Sequence, residues 1–526
     1  MEEEYSASDP TQLLEAASNF ANHPGVQSEA SVKDFLDRVP LPVIINALQT
    51  KPDVPGLENA LVACLERIFR TEYGASLIPL YMPFVVVGLG ADSQRVRCLA
   101  CKTVSCLLEN VDETTVTAAR LVLEYDVYPL LLNCLVDGDE QVATASMDGI
   151  KNLAGSPDGM DVIFPANINE PTHLRNLVGR CSSLGRVRVL ALIVKLFSIS
   201  RSVASEVSNS NLLKLLEAEV SNLNDTLVTL SVLELLYELA EIEHSTEFLS
   251  RTTLVQLLCS IISNASLGSI LRSRAMMITG RLLSKENTYM FVDESSVKTV
   301  ISAIDGKLGL LESQNADECE CALEALGQIG SSIQGAALLL SSSSPAARHV
   351  IDAAFDRQGR GKQLAALHAL GNISGETRSE NNILLNSDAE ESLRRLIYET
   401  ASKTSKLTPS GLFLSVLEQD SDFRLAGYRL IAGLVARPWC LMEICSRQEI
   451  ISIVTDTYFE TTKIGMEARH NCCQAIHKAI MSSSKLISDP ALAGIAEKLH
   501  EAVRRGPYLA RKHTEAQPVV MTAERF

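Results

Sequence analysis

Residues 92–109 read DSQRVRCLACKTVSCLLE, residues 139–153 read DEQVATASMDGIKNL, and residues 184–196 read LGRVRVLALIVKL. In the first stretch Val96, Leu99, Ala100, Val104 and Leu107 fall on one face of a 3.6-residue helix, and Val142, Ser146, Ile150 and Leu153 do the same in the second. The third sets Arg186, Val187 and Arg188 ahead of Ala191, Val194 and Phe197. Asp92 and Asp139 stand just before their apolar periods, as the polar or acidic start of each copy. The markers Val96, Val142 and Val187 recur at intervals of about 45 residues.

The pattern extends in both directions. Leu57 to Arg70 carries Leu57, Leu61, Cys64, Leu65 and Ile68 on one face, and a weaker period surrounds Leu13, Leu14, Ala17 and Phe20. Further copies are expected at Leu227 to Ile242, Arg272 to Ser284, Asp317 to Ile329, Gly361 to Ile373, Asp422 to Ala436 and Gly465 to Met481, with a capping helix at Ala491 to Arg505. Between Gln363 and Arg424 the interval stretches to about 60 residues, which marks an insertion at 375–410. It reads as a polar stretch, one short helix around Leu393 to Tyr398, and a linker from Ser402 to Ser410. Such a repeat predicts an all-α chain: a HEAT/armadillo-type α-solenoid of about ten helical repeats, single over 1–508, followed by a mobile tail at 509–526. Chains of this kind bind along their length.

Composition agrees. An apolar fraction of 46% with 5% aromatic residues suits helices packed through Leu, Ile, Val and Ala. The net charge of −17 argues against nucleic acid as the main partner, since phosphate recognition needs a basic face. The greasy Leu77 to Gly90 is too short for a membrane span and is interrupted by Pro79 and Pro83. The acidic start, Met1 to Asp9, resembles neither a signal nor a transit peptide. Thirteen cysteines scattered through apolar helices fit reduced, buried thiols. The expected location is therefore cytoplasmic, with the nucleus also open.

Chemistry is sparse. Cys98 and Cys101 form a CxxC near Cys106, but no second pair and no histidine stand at zinc-site spacing. His470, Cys473 and His477 share helical faces without any sign of an oxyanion site. Gly327, Gly330 and Gly335 do not make a phosphate loop and read as helix breaks. Trp439, the one tryptophan, reads as packing between repeats. No cofactor, metal or enzymatic activity is expected. Candidate contact residues for a protein partner are the charges off the apolar stripes. These are Lys102 with Glu109, Asp148 with Lys151, the acidic run Glu234, Glu238 and Glu241, and Arg281 with Lys478.

Several short motifs in order go beyond a generic repeat. They are Arg186-Val187-Arg188-Val189-Leu190, Gly330-Ser331-Ser332-Ile333-Gln334-Gly335, Leu425-Ala426-Gly427-Tyr428-Arg429-Leu430, Arg437-Pro438-Trp439 and Gly506-Pro507-Tyr508. By these the chain resembles the non-ATPase regulatory subunit 5 family of the 26S proteasome. The resemblance runs over most of the chain and departs from it at 375–410 and after Tyr508. It implies a HEAT-repeat chaperone for assembly of the regulatory particle base. Its partner would be the C-terminal domain of one proteasomal ATPase subunit, regulatory subunit 7, with contacts extending to neighbouring ATPases and the largest non-ATPase base subunit. Such a chaperone leaves before the particle is complete. No compact family motif assigns the contact residues. The alternative is a general HEAT/armadillo scaffold with another partner. A peptide-import receptor is disfavoured, because its groove needs a ladder of tryptophans.

Overall fold

The computed structural model describes residues 10–50, 54–109, 117–165, 173–222, 225–249, 251–309, 316–482 and 490–508. The acidic start at 1–9 and the tail at 509–526 lie outside the described residues. Among the described residues every regular element is helical. The chain divides into two compact units, Met1–Phe248 and Leu249–Phe526. In the first unit the long helices Leu57–Phe69, Gln94–Glu109, Glu140–Leu153, Ser183–Ile199 and Thr226–Glu241 pack each on the next. In the second, Ser269–Leu283, Ala316–Ile329, Arg360–Ser374, Ser421–Leu434 and Lys463–Ser482 do likewise, closed by Pro490–Arg505. The protein is an all-α solenoid, and these long helices are the ones the 45-residue period predicts.

The polar residues that precede each apolar period have a physical task. Asp139 accepts the Val142 amide at 2.9 Å, Asp225 those of Leu227 and Val228, and Ser182 that of Gly185. Caps of this type are worth about 1 kcal/mol each. Donors that recur in the next turn reach back along the chain, Arg188 to the preceding repeat and the others to the segment just before their own helix. Arg188 donates to the carbonyls of Leu135, Val136 and Gly138, at the end of the Val127–Asp137 helix. Arg272 reaches Leu267, Gln363 reaches Ala354, Arg424 reaches Gln419 and Arg469 reaches Val454. Apart from Leu267, which lies in the loop before Ser269–Leu283, these are carbonyls at or just past a helix C-terminus, where they go unpaired and where a cation also opposes the negative dipole end. At Glu318 the sign is inverted. Its buried carboxylate accepts Arg272 Nε and Nη2 at 2.6 and 2.7 Å, with Lys307 Nζ at 4.0 Å. The hydrogen bonds from Arg272 hold this carboxyl below its usual range, against the opposing effect of burial.

Three sequence expectations need correction. Gly327 and Gly330 are places of close approach, not simple breaks. A Cβ on Gly327 would lie 2.7 Å from Ala369 Cα, and one on Gly330 would lie 2.3 Å from Ile373 Cγ1. Gly335 sits inside the Ile333–Leu339 helix, in the turn that Ser332 caps. The insertion at 375–410 is largely helical. Ser387–Lys403 is one helix of 17 residues, capped by Asn386, and Thr408 caps a further helix, Pro409–Leu417. The former packs on Ala346–Phe355 and the latter on Gln448–Thr455, so the insertion adds a helix to the layer behind the long helices. The sequence hides this because the buried stripe includes Ala389, Thr400 and Ala401, which carry little hydropathic signal.

The apolar stretch before Asp92 is longer than the expected 77–90. Glu72–Leu89 has a mean hydropathy of 1.3 over 18 residues, enough by length and composition to cross a membrane. It is divided into Glu72–Leu77, a 3-10 turn at Ile78–Tyr81 and Met82–Leu89, with Ile78, Met82 and Val85 buried in the packed repeats.

Candidate functional site

The faces of Leu57–Phe69, Gln94–Glu109 and Glu140–Leu153 that carry no apolar stripe line an open groove of about 1160 Å³ in the first unit. Lys102, Asp148 and Lys151, all expected from the sequence as contact residues, meet here together with Glu109. Glu66, Arg70 and Glu140 join them, and fully exposed Val26 borders the groove. The register explains the meeting: each charge occupies the unburied side of its helix, and stacking the helices sets the charges in rows.

Lys102 Nζ donates to Glu66 Oε1 at 2.7 Å, and Asn152 Nδ2 donates to Glu109 Oε1 at 2.8 Å. Each bond ties one helix to its neighbour. Burial pulls the Lys102 ammonium down, but the hydrogen bond to Glu66 and its charge leave it above the ordinary lysine value. A pair this exposed adds at most about 1 kcal/mol of stability, so its main effect is to fix where the ammonium stands. Arg70, Asp148 and Lys151 have no ion-pair partner among the described residues. The groove therefore offers both signs of charge, with Lys102 and Glu109 tied in place, over a lining that includes buried Phe69, Leu99 and Ala145.

The other predicted residues stand elsewhere. Glu234, Glu238 and Glu241 share the exposed face of Thr226–Glu241, outside the groove lining. Arg281 is half-buried in the last turn of Ser269–Leu283, and Lys478 is exposed on Lys463–Ser482, both in the second unit. Sequence reasoning missed Glu66, although it lies off the apolar stripe of its helix just as Lys102 lies off the next one.

The thiols weighed in the sequence, Cys98, Cys101, Cys106 and Cys473, are poorly placed for chemistry. Cys98 and Cys101 are buried, and burial with the nearby Glu109 pushes Cys106 up to about 11. Cys473 is fully buried, with Sγ 3.7 Å from the Leu499 carbonyl, and burial pushes it up to about 11 as well. A thiol at that value is almost wholly protonated at neutral pH. Among the described residues no group of three or more His, Cys, Asp or Glu side chains is arranged to hold a metal ion.

A family model described as "Proteasome non-ATPase 26S subunit" matches residues 58–524. The chain belongs to that family. In this proteasome family, the 26S proteasome non-ATPase regulatory subunit 5 of Homo sapiens is 19% identical over 430 residues, covering 81% of this chain and 80% of the relative. The Mus musculus protein of the same name is 19% identical over 442 residues, covering 83% and 81%. Among solved structures, an engineered protein overlays with a TM-score of 0.44 and 13% identity, over 80% of this chain and 98% of its own. The role of the chain is thus proteasome-related, and the matched names are those of a regulatory, non-ATPase subunit.

The short motifs that carried the proteasome-family resemblance prove to be anchors between repeats. Arg437 is 1% exposed and bonds Glu390 at 2.7 and 2.9 Å, with the carbonyls of Ser374 and Gly433 at 2.9 Å each. Trp439 packs on Tyr398, ring centroids 5.8 Å apart, so it lies between successive repeats as expected. Tyr428 is buried and donates to Glu460 Oε1 at 3.0 Å.

Proposed function

We propose that this protein is an assembly chaperone of the 26S proteasome base. It grips the C-terminal domain of one ATPase subunit, regulatory subunit 7 being the first candidate, and leaves before the particle is complete. The observation that carries this reading is the two-signed groove across three repeats, in a chain that a proteasome family model matches from 58 to 524. A small folded domain with its own alternating charges would find many modest contacts there. Their sum gives specificity without a deep pocket. Neighbouring ATPases and the largest non-ATPase base subunit would be reached through the held domain, in the cytoplasm or the nucleus.

Release follows from differential affinity. A 100-fold preference for the intermediate over the next assembly state needs about 2.7 kcal/mol, equivalent to a few lost contacts or one clash. Nucleotide hydrolysis by this chain is not required. The test is calorimetric titration of the full chain against the isolated C-terminal domain of each proteasomal ATPase. One domain should bind tightly. The double charge reversal Asp148→Lys with Lys151→Glu should weaken that binding about tenfold or more, while Glu234→Lys with Glu238→Lys tests the other acidic face. Asp148, Glu234 and Glu238 are exposed and Lys151 is half-buried, so helicity should be retained. Silence from every domain would overturn the proposal and leave a HEAT scaffold with another partner.

A further inference from the structure

The loop joining Gln448–Thr455 to Lys463–Ser482, with the first turn of the second helix, holds three large apolar side chains in solvent. Tyr458 is 76% exposed, Phe459 37% and Ile464 65%. Single exposed apolar residues are commonplace, but three within seven positions form a patch. The loop is firmly seated. The Tyr458 amide donates to Asp456 Oδ1 at 2.8 Å, and the Phe459 amide to the Asp456 carbonyl at 3.3 Å. Glu460, 2% exposed, accepts Arg424 Nε and Nη2 at 2.6 and 3.0 Å as well as the Tyr428 hydroxyl. The same Arg424 guanidinium lies 5.3 Å from the centre of the Phe459 ring. The apolar tip therefore stands on a buried ion pair, and a partner binding it would lose little loop entropy. Pre-ordered tyrosine and phenylalanine beside an arginine are the side chains that dominate protein interfaces.

The surroundings set the sign of the partner. Arg424 also donates to the Gln419 carbonyl at 2.8 Å, which brings the turn at 418–422 alongside the loop. Glu418, Asp420, Asp422 and Asp456 are exposed there. Against them stand Arg360, paired with Asp420 and Asp422, Lys463, 4.0 Å from Glu467, and exposed Arg357, which donates to the Ser415 carbonyl that Gln419 also meets. Carboxylates are in excess, so an acidic partner is repelled and a basic one attracted.

We infer that Tyr458, Phe459 and Ile464 form a docking surface, carried by the second unit and independent of the groove. Its occupant is an amphipathic segment of a partner protein whose apolar face is flanked by Lys or Arg. The test uses the full chain and two labelled amphipathic helical peptides with identical leucine faces, one flanked by lysine and the other by glutamate. Anisotropy titrations should show the lysine peptide binding about tenfold tighter or more. Because the whole chain is acidic, the deciding variant is Tyr458→Ser with Ile464→Ser, which leaves every charge in place. It should weaken the lysine peptide about tenfold with the thermal melt unchanged, whereas Asp148→Lys with Lys151→Glu should leave peptide binding intact. Unaltered affinity in the serine variant, or equal affinity for both peptides, would overturn the inference. So would a wild-type dimer in sedimentation velocity that the serine variant abolishes, since that assigns the surface to a second copy of the chain.

Discussion

Arg437→Met is expected to destabilise the second unit by about 3 kcal/mol, whereas Arg469→Met should lie within about 1 kcal/mol of the native chain or above it. Both guanidiniums are 1% exposed, and they differ in what they leave behind. Removing Arg437 leaves Glu390 with the Leu385 amide alone and strands the carbonyls of Ser374 and Gly433. Glu390 keeps 22% of its side chain in contact with solvent, so the loss should fall at the lower end of what breaking a buried pair costs. Among the described residues Arg469 makes one hydrogen bond, to the Val454 carbonyl at 2.7 Å, while Nε and Nη2 find no acceptor. Exchanging it for an apolar side chain of similar length forfeits that single bond and removes an uncompensated buried charge. Urea unfolding followed by Trp439 fluorescence reads the second unit alone, because the chain has no other tryptophan. Equal losses in the two variants would contradict this reading of the arginines.

The second large effect is steric. Gly327→Val should cost about 3 kcal/mol and Gly327→Ala about 2 kcal/mol, in spite of a helix propensity gain of about 1 kcal/mol. The new Cβ would meet Ala369 Cα at 2.7 Å and Ala369 Cβ at 2.9 Å. Backbone cannot rotate out of the way, so Ala316–Ile329 and Arg360–Ser374 would have to separate. Gly371→Ala gives the control. Its Cβ would have Leu430 as nearest neighbour, at 3.9 Å, which is ordinary contact, so this variant should be more stable by up to about 1 kcal/mol. The same urea experiment checks both. A stabilised Gly327→Ala would show that the two helices have slack at their crossing.

Much of this architecture is legible in the sequence, and the reasons differ by element. The long helices announce themselves because one-sided burial at Val96, Leu99 and Val104, or at Val142 and Ile150, repeats with a constant interval. The caps at Asp139 and Asp225 follow from local chemistry. Gly327 is opaque, since a glycine that ends a helix and one that lets two helices touch look alike without the neighbour. The Ser387–Lys403 helix is obscured by a stripe built partly of alanine and threonine. At the groove, periodicity places Lys102, Asp148 and Lys151 on unburied faces. It is helix stacking, absent from any single stretch of sequence, that adds Glu66 and excludes Glu234, Glu238 and Glu241. The aromatic tip at Tyr458 and Phe459 is silent for a related reason: its rigidity depends on Glu460 meeting Arg424 from the preceding repeat.

The proposed role in assembly is tested most directly by following the tagged protein through native sedimentation of cell extract, with each fraction probed for ATPase subunits and for the proteolytic core. The expected result is co-migration with ATPase-containing base intermediates and absence from particles that contain the core. Stoichiometric presence in completed 26S particles, or migration apart from every ATPase subunit, would contradict the chaperone assignment.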